Sequence, residues 1–317
     1  MLERGRQVAA AGDCAVCHTV GGGKVNAGGL AMDTPFGTLY STNITPDPET
    51  GIGRWSFAAF ERAMREGISR DGRHLYPAFP YTSFRNINDA DLQALYAYLM
   101  SQTPVRQEAP ANQMRFPFNQ RALMAGWNAL FLQRGEYQPD PQRSAQWNRG
   151  AYLVDGLGHC TACHTPRNAL GATTDAKAFT GGLIPVQNWY APALNAAHEA
   201  GVKEWKTEDV VALLKTGVAP QGSVLGPMAE VVFRSTQYLT DADARAMAVY
   251  LQGLPQQDRK VPATVAAPPA SAMARGSKVY EQHCAQCHGD KGQGEPGAFP
   301  ALTGNRAITL SDPTNLV

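Results

Sequence analysis

The sequence predicts an all-α protein built from tandem modules of short helices joined by long irregular loops. Three observations predict it. A Cys-x-x-Cys-His pattern is written three times, as Cys14-Ala15-Val16-Cys17-His18, Cys160-Thr161-Ala162-Cys163-His164 and Cys284-Ala285-Gln286-Cys287-His288. Apolar residues around the first two copies recur at helical spacing. The 31 glycines and 22 prolines fill 53 of 317 positions, which favours short elements and long connections.

Length alone allows two or three domains. A hydrophobic fraction of 44% is ordinary for a globular chain, and charged residues are sparse at 17%. A formal charge of +1 offers no basic balance of the kind that binds nucleic acid. All six cysteines belong to the repeated pairs, so none is left to staple distant loops. No apolar run reaches the 18 residues of a spanning helix, and no basic-then-apolar export segment opens the chain.

The pattern sits in a larger repeat. A helix beginning near an Arg-Gly precedes each pair: Arg4-Gly5, Arg149-Gly150 and Arg275-Gly276. After the first pair, the run from Trp55 to Gly67 carries Phe57, Phe60 and Met64 at helical spacing; from Trp205 to Gly217, Val210, Leu213 and Leu214 do the same. Gly67 and Gly217 are expected helix stops. Two matching helices then close the units, from Asp89 to Leu99 and from Asp241 to Leu251. Asn88 and Thr240 are their expected N-caps, with Asp91 and Asp243 placed for something close to a capping box.

The first module therefore covers residues 1–105 and the second 145–254. The connecting strap, 106–144, contains Phe116-Pro117-Phe118 and an apolar stretch from Ala122 to Leu132, expected to dock as a helix on a neighbouring domain. Residues 255–272, with Pro262, Pro268 and Pro269, read as an extended tether. A third module begins at 273 and reaches 317 without a Trp helix or closing helix, so it is expected to be incomplete, outermost and variable in its contacts.

Spacing carries the chemistry. Two cysteines three positions apart on a tight turn point the same way, so both sulfurs form thioethers to the two vinyl groups of one porphyrin. The adjacent histidine then lies beneath the ring as the fifth iron ligand. Zinc needs thiolates from two pairs, or histidines at longer spacing, and three pairs do not divide so. A thioredoxin-like motif needs a βαβ setting, and iron–sulfur ligation other cysteine spacings. Three covalently bound haem c groups are expected, held by Cys14, Cys17 and His18, by Cys160, Cys163 and His164, and by Cys284, Cys287 and His288.

In the second module Met228 is the expected sixth ligand, presented by the Gly226-Pro227 turn from an irregular loop; Met247 reads as core. In the first, Phe79 stands where a sulfur is expected, and a phenyl ring does not ligate iron. Met32, Met64, Met100, His74 and an open or water-ligated iron remain alternatives there, with Met64 matching Leu214 and so reading as core. The third module has no methionine after His288.

The run from Thr34 to Gly53, with Phe36-Gly37-Thr38-Leu39-Tyr40-Ser41-Thr42-Asn43 and Pro46-Asp47-Pro48-Glu49-Thr50-Gly51, resembles the triple-haem cytochrome c subunit of bacterial membrane-bound dehydrogenases. So does the loop from His74 to Tyr81. The resemblance implies tandem class I-like cytochrome c domains in a periplasmic subunit associated with the inner membrane. Such a subunit takes electrons from a dehydrogenase catalytic subunit that is molybdenum-, PQQ- or flavin-dependent. It delivers them to ubiquinone or a terminal oxidase. Phe79 and the Phe116–Trp127 stretch look most like the molybdenum branch. Two other readings stay open: a peroxidase-like haem enzyme using an open iron in the first module, and a free soluble electron shuttle.

Overall fold

The computed structural model describes residues 1–184, 187–257, 268–310 and 312–316. It is mostly helical. The N-terminal unit contains α1 (Leu2–Ala11), α2 (Cys14–His18), α3 (Phe57–Glu66), α4 (Tyr81–Phe84) and α5 (Asp89–Met100). Between the first two units, α6 (Leu123–Phe131) forms in the strap. The middle unit repeats the plan with α7 (Ala145–Ala151), α8 (Thr161–His164), α9 (Thr207–Thr216), α10 (Pro227–Arg234) and α11 (Asp241–Gln252), while α12 (Ala270–His283) and α13 (Ala285–His288) belong to the C-terminal unit.

Local signals set these boundaries. The Ser56 hydroxyl caps α3 by accepting from the Ala59 amide at 3.2 Å, and Gly67 ends the helix at φ +64°. Gly217 does the same for α9 at φ +76°. Asn88 and Thr240 cap α5 and α11 through the amides of Asp91 and Asp243, at 2.9 and 3.1 Å. The reciprocal half of the capping box does not form. The Asp91 carboxylate turns to Arg4 and to the Tyr152 hydroxyl, and Asp243 turns to Arg149, because a guanidinium or buried phenol partner outcompetes a backbone amide.

Those pairs explain the Arg-Gly repeat. Within each unit the first helix crosses the closing helix, α1 on α5 and α7 on α11. A Cβ at Gly5 would overlap the Ala94 carbonyl oxygen, and one at Gly150 would overlap that of Ala246. Glycine permits the close crossing and the preceding arginine locks it, with Arg149 bidentate on Asp243 at 2.7 and 3.0 Å.

The structure adds small antiparallel strands that the helical periodicity did not announce: β1 (Ala31–Thr34), β2 (Gly37–Tyr40) and β3 (Gln113–Met114) in one sheet, with β4 (Gly182–Ile184) pairing β5 (Trp189–Ala191) and β6 (Val218–Ala219) pairing β7 (Gly222–Ser223). Each is four residues or fewer, too short for alternation to be read.

One buried cluster runs through both units, joining Ile87, Leu92 and Leu95 to Leu153, Val154, Leu157 and Leu251. The strap packs mainly on the N-terminal unit. Met124 and Trp127 of α6 are buried with Leu39, Tyr76 and Tyr81, and the Trp127 indole also donates to the Leu170 carbonyl at 3.0 Å.

The C-terminal unit is docked on the middle one. Asn305 donates to the Ser223 hydroxyl at 2.9 Å, and Asn315 exchanges two hydrogen bonds with the backbone of Tyr190. Two asparagine amides matched to fixed polar partners give this contact a specific register. Residues 258–267 of the expected tether, Pro262 among them, lie outside the described residues.

Candidate haem-binding sites

Each Cys-x-x-Cys-His lies on one short helical turn that closely follows a longer helix. Asp13 and His159, the residues before the first cysteine of the first two copies, take left-handed backbone, at φ +54° and +36°. That reversal turns the motif out of the line of the preceding helix. None of the six cysteines is in a disulfide. Burial pushes the Cys14 and Cys160 thiols up to about 12, so they are neutral thiols in an apolar setting. Among the described residues no three His, Cys, Asp or Glu side chains converge as a metal cluster, and the zinc alternative finds no ligand set.

The three histidines share one arrangement. His18 Nδ1 is 2.6 Å from the Thr42 carbonyl oxygen, His164 Nδ1 is 2.7 Å from that of Pro192, and His288 Nδ1 is 2.9 Å from that of Pro300. An imidazole facing a carbonyl through Nδ1 must carry its proton there, which leaves the Nε2 lone pair for a metal. Burial lowers the His18 and His164 pKa values and keeps both rings neutral, as ligation requires. The donor set therefore fits a haem iron at each copy. The carbonyl acceptors were not legible in the sequence, because any residue supplies a backbone carbonyl.

Met228, the expected sixth ligand, is not in an irregular loop. Gly226, at φ +52°, caps α10 with Pro227 at its first position, so Met228 lies in the first helical turn. The Trp189 ring packs against Gly226, closer than any Cβ would allow, and fixes that entry. In the N-terminal unit the corresponding segment places Phe79 against Phe84 and Tyr81, with ring centroids 5.6 and 6.3 Å apart. Met64 and Met247 are buried in the core. His74 has a buried Nδ1 without a hydrogen-bond partner.

The first two attachment turns approach each other across the unit boundary. The His159 ring meets the Phe84 ring of the N-terminal unit edge-on, with centroids 5.5 Å apart. Helix α10, which carries Met228, packs on α2.

Comparison with known proteins agrees with this geometry. The cytochrome c family model matches residues 2–103 and 273–316, leaving the middle motif outside the matched residues. The cytochrome c subunit of a quinone-type alcohol dehydrogenase from Gluconacetobacter polyoxogenes is 40% identical over all of this chain and 71% of its own length. The fructose dehydrogenase cytochrome subunit of Gluconobacter japonicus is 38% identical over all of this chain and 70% of its own. This chain belongs to the cytochrome c subunits of bacterial dehydrogenases. Membership of that family makes covalently bound haem c the cofactor of this chain. A nicotinate dehydrogenase component of Pseudomonas putida is 65% identical over all of this chain, which spans only 27% of that longer protein. Among the described residues of this cytochrome subunit no helix is long and apolar enough to cross a membrane.

Proposed function

We propose that the chain carries three haem c groups and passes electrons from a dehydrogenase catalytic subunit toward an acceptor such as ubiquinone or a terminal oxidase. In this reading residues 1–105, 145–254 and 273–317 belong to successive cytochrome c domains. His18, His164 and His288 are proximal ligands, and Met228 is the sixth ligand of the middle haem. The observation that carries it is the threefold repetition of an imidazole whose Nδ1 is tied to a carbonyl. Bound haem supplies one-electron chemistry at iron. The chain supplies spacing, burial and ligands that tune each potential. The meeting of His159 with Phe84 and the packing of α10 on α2 support direct transfer between the first two haems, since both attachment turns lie at that boundary.

The partner is proposed to be of the class that oxidises an N-heterocyclic substrate, with molybdenum as its cofactor, in the periplasm at the inner membrane. The 65% identity with a nicotinate dehydrogenase component supports this branch over the alcohol and sugar branches, at 40% and 38%. An alkaline pyridine assay of the purified chain is expected to give three haems, falling to two in Cys14→Ala/Cys17→Ala and in the matching variants of the other pairs. Two haems in the unaltered chain would refute the count. A copurifying catalytic subunit that holds flavin or PQQ would refute the molybdenum branch.

A further inference from the structure

The strap between the first two units has two unlike faces. Its inner face is anchored: Met124 and Trp127 of α6 are buried on the N-terminal unit. The Tyr76 hydroxyl donates to the Phe118 carbonyl at 2.9 Å, and the Phe118 and Phe36 rings meet with centroids 4.6 Å apart. Its outer face is apolar and uncovered. Phe116 is 80% exposed, Leu130 72% and Leu123 53%. Leu123, Gly126 and Leu130 recur at the spacing that puts residues on one side of a helix, and Ala122, Ala125 and Ala129 lie exposed beside them. A single exposed leucine is ordinary. A helix with no charged residue and apolar side chains on both faces calls for a second neighbour.

Charge indicates what that neighbour is. Residues 109–135 contain three arginines and no aspartate or glutamate. The arginines bracket α6, with Arg115 and Arg121 before it and Arg134 after it. Arg115 and Arg134 are exposed, and neither forms an ion pair among the described residues. Arg121 donates to the His74 carbonyl and lies over the Tyr76 ring, again with no carboxylate partner. The acids near the end of the strap are already engaged, Glu136 by Arg65 at 2.9 Å and Asp175 by the Gln133 amide at 2.6 Å. An apolar strip with uncompensated cations at both ends complements a surface that is apolar within and anionic at its rim. A phospholipid leaflet has that profile. Nine helical residues are too few to span a bilayer and enough to lie in its interface.

We infer that the outer face of α6, together with Phe116, docks on an anionic phospholipid surface. Phe116, Leu123 and Leu130 enter the acyl boundary, and Arg115 and Arg134 meet headgroup phosphates. The inference rests on the proposed place of the subunit at the inner membrane and assigns the face that meets it. Because α6 is fastened to the N-terminal unit and reaches the Leu170 carbonyl of the middle one, docking holds both units in one orientation to the membrane.

The test is cosedimentation of the haem-loaded chain with vesicles of phosphatidylglycerol and phosphatidylethanolamine, compared with vesicles of phosphatidylcholine alone. The unaltered chain is expected to prefer the anionic vesicles and to lose that preference at high salt. Leu123→Gln/Leu130→Gln is expected to weaken partitioning by about tenfold or more, and Arg115→Gln/Arg134→Gln by about tenfold. All four positions are exposed, so thermal melts are expected to stay unchanged. Met273→Gln, at an exposed apolar position of the C-terminal unit, is expected to leave vesicle binding as it was. No sedimentation of the unaltered chain, or equal sedimentation of the α6 variants, overturns the inference. Equal weakening by Met273→Gln overturns the assigned face. Variants that keep vesicle binding and lose a copurifying catalytic subunit give the face to that protein instead, which also overturns it. The haem count of the same preparations reports the proposed function separately, since a missing haem and missing vesicle binding are independent readouts.

Discussion

The Tyr152 hydroxyl donates to the Asp91 carboxylate at 2.7 Å across the boundary of the first two units. Asp91 is 3% exposed and also receives Arg4, while the Asn88 amide donates to the same Tyr152 oxygen at 3.3 Å. One phenol thus ties the capped start of α5 to the middle unit. Tyr152→Phe leaves the ring in the core but strands the Asn88 backbone amide and leaves Asp91 Oδ2 only the long 3.4 Å bond from the Asn88 side-chain amide. Stability is expected to fall by about 1–3 kcal/mol, read from denaturant midpoints. An unchanged midpoint would mean that water takes over both bonds.

The three Arg-Gly copies are expected to respond unequally to alanine. Gly5→Ala and Gly150→Ala drive a Cβ into the facing carbonyl and are expected to cost at least about 1–3 kcal/mol. A Cβ on Gly276 meets nothing within 4 Å. Its replacement in a helix interior is expected to be neutral, or stabilising by up to about 1 kcal/mol. Thermal melts of the three variants of this chain compare them directly.

Asp155 gives the middle unit a pH dependence. Burial raises its pKa to about 6, against a smaller lowering by the Tyr250 hydroxyl, which donates to it at 2.6 Å. The folded state therefore keeps this proton after the unfolded state has lost it. The contribution of this group is greatest below pH of about 4 and is lost as pH rises through about 6, a swing on the order of 2–3 kcal/mol. Asp155→Asn is expected to flatten that part of the stability curve. Persistence of the full slope between pH of about 4 and about 6 in the variant would assign it to another group.

Met228→His exchanges a thioether for an imidazole at the start of α10. The middle haem is expected to stay low-spin, lose its methionine–iron charge-transfer absorption and fall in potential, since a second imidazole favours ferric iron. Retention of that absorption would show that Met228 is not its source.

Phe79→Met offers sulfur where the N-terminal unit has a ring. Carbon monoxide binding to the first haem of the unaltered chain, abolished in this variant with a rise in potential, would identify an open or labile sixth site. Absence of carbon monoxide binding in the unaltered chain would instead point to an internal ligand such as His74.

The sequence by itself determined the Cys-x-x-Cys-His turns and the capped helices, because each is written in residues close together or repeated at fixed offsets. Ser56, Asn88, Gly67 and Gly217 act within one turn of the chain, and local backbone chemistry fixes their roles. Tertiary structure decided what those same elements do at a distance. Asp91 looked like half of a capping box, and packing of α1 and of the middle unit gave it to Arg4 and Tyr152. Met228 looked like a loop residue, and Trp189 closing on Gly226 started a helix beneath it. The carbonyls of Thr42, Pro192 and Pro300, and the meeting of Arg306 with the sequence-distant Trp205, depend on chain crossings that no local pattern records. Backbone acceptors carry no side-chain signature, and a contact between units is specified only when both surfaces have folded.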